Sequence, residues 1–329
     1  MRVVFAEFES SCLERVGCFC LAFALAVGSS EIAQAAITRP ISGFTSAGTP
    51  GASTTGDRTF IETGFVGTNF KFTTDNISKF ANGKLSFTSN SVNYQYGWTD
   101  VIPSDLGSGN DYPLNPDRGD TATPFAGEPT GGTLEEVFGS GNLAYLLDGE
   151  SDVKWTLDLL FESGFGIVAD GDDQTMDLLM LERGANSMVG VRAILADHTL
   201  SQDLIVNFRT SGSAYGVAGT GGLTDFSLNT TEIGGAQVVA GVGIDLSAFG
   251  LSTGTQVIGF QYFVNRDTSL LRFDGPDFLG FIATQEVEQF PEVNAVPEPS
   301  TMVLASLGSL CLAYRTGRRR RMFPVLSVD

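Results

Sequence analysis

The chain has 329 residues, with 38 acidic against 19 basic side chains and a formal net charge of −19. Such a surplus repels nucleic acid and anionic lipid, which argues against partners of either kind for the bulk of the chain. A hydrophobic content of 42% excludes a disordered chain, while 40 glycines and 25 phenylalanines point to short strands and many turns.

At the N-terminus, Val16 to Val27 is an uninterrupted apolar run behind Arg2 and Arg15. Ala33-Gln34-Ala35 then offers the small residues a signal peptidase reads, with cleavage before Ala36. Glu7, Glu9 and Glu14 dilute the positive n-region. The run is too short for a spanning helix, so residues 1–35 read as a signal peptide instead of a permanent anchor or a buried helix. Cys12, Cys18 and Cys20 lie in this segment and Cys311 lies near the other end. The exported body therefore holds no internal disulfide, and its stability must come from a sizeable core. Residues 36–57, rich in Gly, Ser, Thr and Pro, read as a linker.

Residues 58–290 read as one extracellular domain. Apolar and polar residues alternate in 68–74, 83–89, 91–98 and 153–161, and strand-like stretches recur at 190–195, 203–208, 236–246, 255–264 and 277–283. Clusters of Gly, Asn and Asp separate them. Period-two patterning with such punctuation predicts an all-β fold, an antiparallel β-sandwich that is jelly-roll-like. Leu134 to Phe138 is the one expected helical turn of the body. Asp100 to Gly132 carries five prolines and little periodicity, and reads as a long surface loop.

The body offers few groups for chemistry. Histidine occurs once, as His198, with no G-x-S-x-G elbow, so a Ser-His-Asp triad has little to build on. One His and no Cys in the body argue against zinc. Asp170, Asp172, Asp173 and Asp177 crowd one short loop and are the candidate calcium ligands, although Gln174, Thr175 and Leu181 break the EF-hand spacing. Asp111, Asp117 and Asp120 form a weaker second set. Tyr94, Tyr96 and Trp98 alternate along one strand and share a face. That face would stack on sugar rings if open, and would be core if closed.

Near the C-terminus, Val296-Pro297-Glu298-Pro299-Ser300 precedes a 14-residue uncharged run, Thr301 to Tyr314. The prolines keep the upstream peptide extended and accessible. A helix over the run reaches about 21 Å, short of a ~30 Å hydrocarbon core, so it predicts a short transmembrane helix with a transient hold. Arg315, Arg318, Arg319, Arg320 and Arg321 follow as a cytoplasmic stop.

This order of Pro297, Glu298, Pro299, apolar helix and arginine cluster resembles the PEP-CTERM sorting signal of exosortase-dependent bacterial surface proteins. Met322 to Asp329, which follow the arginines, depart from that pattern. The resemblance implies a sorting segment over 291–329, recognition by a membrane exosortase after signal peptidase has acted, removal of the tail, and delivery to the cell surface or extracellular matrix. The stretches 170–194, 241–251 and 273–283 are also similar to a group of such surface proteins that share an uncharacterised extracellular domain, the likeness resting on Glu182-Arg183-Gly184 and Asn186-Ser187. That similarity implies no catalytic residues. The resulting expectation is an exported, non-catalytic surface or matrix protein, with exopolysaccharide as a conceivable partner and membrane contact only before processing. The alternatives are a carbohydrate-binding module or glycan-active enzyme on the same sandwich, and a permanently anchored protein.

Overall fold

The computed structural model describes residues 38–48, 55–74, 77–89, 91–103, 114–128, 130–149, 154–214, 217–231, 234–264, 277–283 and 288–290. The expected signal peptide, sorting segment and C-terminal helix lie outside the described residues. Among the described residues no helix is long and apolar enough to cross a membrane. The described residues from Thr38 to Glu288 form one compact unit.

The fold is all-β and its described strand pairs are antiparallel. One large sheet follows the order β3 (Lys71–Thr73), β2 (Arg58–Phe65), β1 (Thr38–Gly48), β19 (Gln237–Ile244), β13 (Leu178–Arg183), β21 (Asp277–Ala283), β10 (Tyr145–Asp148) and β8 (Asn115–Arg118). To it β18 (Gly222–Leu228) adds on β19, and β4 (Ile77–Ser78) on β21. The other large sheet follows the order β15 (Leu204–Asn207), β14 (Met188–Leu195), β20 (Gln256–Val264), β11 (Trp155–Leu160), β5 (Asn82–Ser89) and β6 (Val92–Gly97), with β12 (Phe165–Val168) on β20. Two short ribbons complete it, β16 (Ser213–Ala214) with β17 (Val217–Ala218), and β7 (Ile102–Pro103) with β9 (Gly131–Gly132).

From Tyr145 onward the chain switches repeatedly between the two large sheets, and that alternation is what joins them into one body. A single apolar cluster receives side chains from both: Trp155, Leu157, Leu159, Phe260 and Tyr262 from one, and Leu179, Leu181, Val239 and Val242 from the other. Each such side chain, fully buried, stabilises the fold by roughly 1.5–3 kcal/mol. In β11 the pattern is strict, with Trp155, Leu157 and Leu159 buried and the residues between them half-buried, as the alternation predicted.

Two expectations need correction. The stretch read as a linker carries β1, eleven residues long, which sits between β2 and β19 inside the first sheet. Its Ser, Thr and Gly content disguised it, because a strand whose neighbours supply the bulk can itself be small. The loop Asp100–Gly132 is likewise not structureless. It holds β7, β8 and β9, and Arg118 ties it down. That guanidinium reaches Glu128 at 2.5 and 2.9 Å and the carbonyls of Gly119, Asp120 and Ala122 at 3.0–3.2 Å.

The expected helical turn is present one residue later, as a π-helical turn over Glu135–Gly139. Thr133 and Glu136 cap it reciprocally: the Thr133 hydroxyl accepts from the Glu136 amide at 3.2 Å, and the Glu136 carboxylate accepts from the Thr133 amide at 2.9 Å. A second turn, Leu246–Phe249, has Asp245 as its cap. β2 also meets the segment leading into β10, through an antiparallel bridge from Thr59 to Asn142 and a Leu143 N–H to Arg58 carbonyl bond of 2.8 Å.

The packing is tight enough that small residues are required at crossings. A Cβ on Gly243 would lie 2.2 Å from the Phe65 ring and 2.9 Å from Met176, whereas one on Gly234 would meet nothing within 4 Å. Gly243→Ala is expected to cost about 1–3 kcal/mol by overpacking, and Gly234→Ala to stay within about 0.5 kcal/mol of the parent. Urea midpoints of the two variants check this, and equal midpoints would show that the contact is not tight.

Candidate functional site

The two ends of the first sheet are chemically distinct, and the strand registers define them. Thr38 pairs with Ile244, Ile244 with Leu178, Leu178 with Ile282, and Ile282 with Ser78. This row marks the end where β1 begins and β21 finishes. At the opposite end Arg183 pairs with Asp277, and Asp148 with Asn115.

The candidate calcium loop lies at the first end, and its aspartates are spent separately. Asp170 accepts from the Asp172 amide at 2.7 Å and from the Thr175 hydroxyl at 3.0 Å. Asp172 accepts from the Gln174 amide at 3.0 Å. Asp173 faces the Ser247 hydroxyl at 3.4 Å, and its carbonyl receives Arg39 at 3.2 Å. Asp177 turns inward and accepts from the Leu246 amide at 2.8 Å. Asp170 and Asp172 thus cap the loop's own turns, while Asp173 and Asp177 reach the turn after Asp245. Among the described residues no group of three or more His, Cys, Asp or Glu gathers as a metal ion requires. In the second set, Asp117 is buried and accepts from the Thr231 hydroxyl at 2.6 Å, Asp120 accepts from Asn229 at 2.7 Å, and Asp111 lies outside the described residues.

Sequence reasoning missed Asp245, which is almost fully buried beside this loop. It receives the Ser247 amide at 2.8 Å and the Ser247 hydroxyl. Burial pushes its carboxyl up, and Asp173 and Asp170 add to that by repulsion. Asp177 is affected more. Burial, with repulsion from Asp245 and Asp170, outweighs the Leu246 amide and raises it to about 7. The spacing from residue 177 to 245 hid this pairing, which only the β13–β19 register creates.

At the opposite end Arg183 is fully buried. It donates to Asp277 at 2.9 Å and to the Leu228 carbonyl at 3.0 Å. Burial pushes the Asp277 carboxyl up, although Asp148, Arg183 and the Gly149 amide partly hold it down. Glu182, also buried, is pushed well above the carboxylate range by burial and then by Asp277, with Ser187 and the amides of Ala185 and Asn186 offsetting part of this. The Glu-Arg-Gly and Asn-Ser positions singled out in the sequence are therefore the buried polar end of β13 and its turn, in which Gly184 takes a φ of 105°. The Arg183–Asp277 pair within it is sealed from solvent and holds structure.

His198 lies exposed in the tight turn after β14, with a φ of 64°. Tyr94, Tyr96 and Trp98 are half-buried on the edge strand β6 and just beyond it, packed against the core. Tyr94 stacks on Phe87 at 4.9 Å and 16°, and Tyr96 at 6.2 Å and 26°. The face is thus partly open, between the two outcomes expected.

Asp177 generates a pH dependence. Unfolded, it releases its proton near 3.8; folded, near 7. Between these values the native state binds the extra proton, so stability falls as pH rises and levels off above 7, by at most about 1.4 kcal/mol per pH unit. Asp177→Asn keeps an acceptor for Leu246 and removes the charge. Its urea midpoint is expected to exceed the parent's increasingly from about pH 5 to pH 7. Parallel curves across that window would contradict the buried, raised carboxyl.

No curated protein and no solved structure matches the chain. Pro297, Glu298, Pro299 and the arginines from Arg315 to Arg321 lie outside the described residues, and sequence comparison places them. The PEP-CTERM protein-sorting motif matches residues 295–321. The chain carries a PEP-CTERM sorting signal at its C-terminus, which marks it as an exported protein processed by exosortase.

Proposed function

We propose that this is a non-catalytic cell-surface or extracellular-matrix protein, held briefly in the membrane by its short C-terminal helix and released when exosortase cuts the tail. The single observation that carries this reading is the sorting motif over 295–321. The mechanism is positional. An apolar run too short for a stable span, backed by fixed positive charge, keeps the exposed Pro297-Glu298-Pro299 step beside the membrane enzyme. Once free, a body with 32 acidic against 12 basic residues over 36–296 is soluble and avoids anionic lipid.

The body reads as a jelly roll. The order β10–β21–β13–β19 in one sheet and β11–β20–β14–β15 in the other supports this, because the chain visits them in the interleaved sequence that two Greek keys produce. A non-catalytic role is supported by the acids that burial perturbs most: Asp277 is paired with the buried Arg183, Glu182 is buried within β13, and Asp177 holds the Leu246 amide. A second reading, glycan binding, is favoured by the half-open aromatic strand Tyr94, Tyr96 and Trp98.

Intact mass of the protein recovered outside the cells tests the sorting reading. A chain beginning at Ala36 and lacking Arg318 to Arg321 is expected. Recovery with the arginines retained, or only from the cytoplasm, would overturn it.

A further inference from the structure

Where β2 meets the segment before β10, the fold leaves a cleft of about 420 Å3, lined among others by Arg58, Thr59, Thr74, Lys79, Ser140 and Asn142. Its volume falls in the range of small-ligand sites.

Among the described lining residues the cleft has one acid, and its oxygens are already engaged. Asp57 accepts from the Thr123 amide at 2.8 Å, the Thr123 hydroxyl at 2.6 Å and the Asn142 amide side chain at 2.7 Å. The Asn142 side-chain oxygen in turn accepts from the backbone amides of Arg58 and Ala144, both at 3.0 Å. That wall is therefore rigid, and these neutral donors leave the carboxylate its charge. The cations differ from one another. Arg58 donates to the Ser46 hydroxyl at 2.8 Å and lies 4.8 Å over the Phe226 ring; that hydroxyl in turn donates to Asp225 at 2.8 Å, so the guanidinium is held in place with a carboxylate one hydroxyl away. Lys79 is exposed, and of its three ammonium protons one goes to the Ser140 carbonyl at 3.2 Å.

The turn from Gly139 to Gly141 shapes the approach. A Cβ on Gly141 would lie 3.0 Å from the Lys79 ammonium, and one on Gly139 would lie 3.3 Å from the Trp98 ring. Gly141 also holds a φ of 73°. A turn with glycine on either side of Ser140 thus carries an ammonium on one side and a half-buried indole on the other, with Thr59, Thr74 and Ser140 lining the cleft.

We propose that this cleft binds an anionic saccharide, with Lys79 pairing to its carboxylate or sulfate as a point charge and the hydroxyls of Thr59, Thr74 and Ser140 serving the sugar's own. The exposed Lys79 ammonium has protons beyond the one it gives to Ser140, and these are what an anionic group would take. The proposal deepens the glycan-binding reading. It is independent of tail processing, so the mass measurement and the binding measurement fail separately.

The test is titration of the full chain, purified in mild detergent at low salt, with three trisaccharides: a uronate, a sulfated sugar and an uncharged sugar. At least one anionic trisaccharide is expected to bind about tenfold or more tighter than the uncharged one, and the preferred anion identifies the acidic group. Lys79→Gln should weaken that binding about tenfold or more. Lys84→Gln, which removes an exposed charge on β5, should leave it unchanged. Equal affinity for charged and uncharged sugars, no binding of any of the three, or equal affinities of the two variants would overturn the proposal. Unchanged melting of Lys79→Gln would show that any loss is local.

Discussion

Strand β13 is the constraint on which the body depends. All six of its residues, Leu178 to Arg183, are buried, and it is paired on both sides, by β19 and β21. Its last two residues are charged. Arg183 is held there by Asp277 and the Leu228 carbonyl. Breaking a buried pair of this kind typically costs about 3–5 kcal/mol, because the remaining charge is left without compensation. A one-residue slip of β13 would exchange the places of Glu182 and Arg183 between the two faces of the sheet. The buried ions therefore fix register as much as they stabilise, and they fix the positions of β21 and the end of β18 together.

The same strand separates the two polar ends of the first sheet. At the Leu178 end, where β1 begins and β21 finishes, the acidic loop is folded onto the Asp245 turn. At the Arg183 end the charges are sealed within the fold. Asp170, Asp172 and Asp173 stay exposed at the Leu178 end, while the aromatic face and the cleft lie away from both ends, at the edge strand β6 and at the seam between β2 and the segment before β10. In the function proposed above the tail determines where the protein goes, and a body without cysteines from 36 to 296 is what arrives there.

Several elements were legible in the sequence because their residues met one more buried and one less buried face. β5 and β11 alternate, and their boundaries were read closely. β13 was not recognised as a strand, since burial on both faces erases alternation and leaves Leu178-Leu179-Met180-Leu181 as a plain apolar run. β1 was hidden by small residues, and β8 by the prolines around it. The acidic loop 170–177 was legible as a concentration of acids, but their hydrogen bonds were not. Asp177 with Asp245, and Arg183 with Asp277, are brought together by strand register across long separations that no local pattern encodes. The sorting signal was fully legible because its parts are contiguous and its physics, apolar length and fixed charge, needs no tertiary structure.

Amide hydrogen exchange of the native protein tests the central role of β13 most directly. The amides from Leu179 to Arg183 are expected to exchange only through global unfolding, more slowly than those of the edge strand β6. Exchange of β13 as fast as β6 would contradict its place as the element around which the body is held.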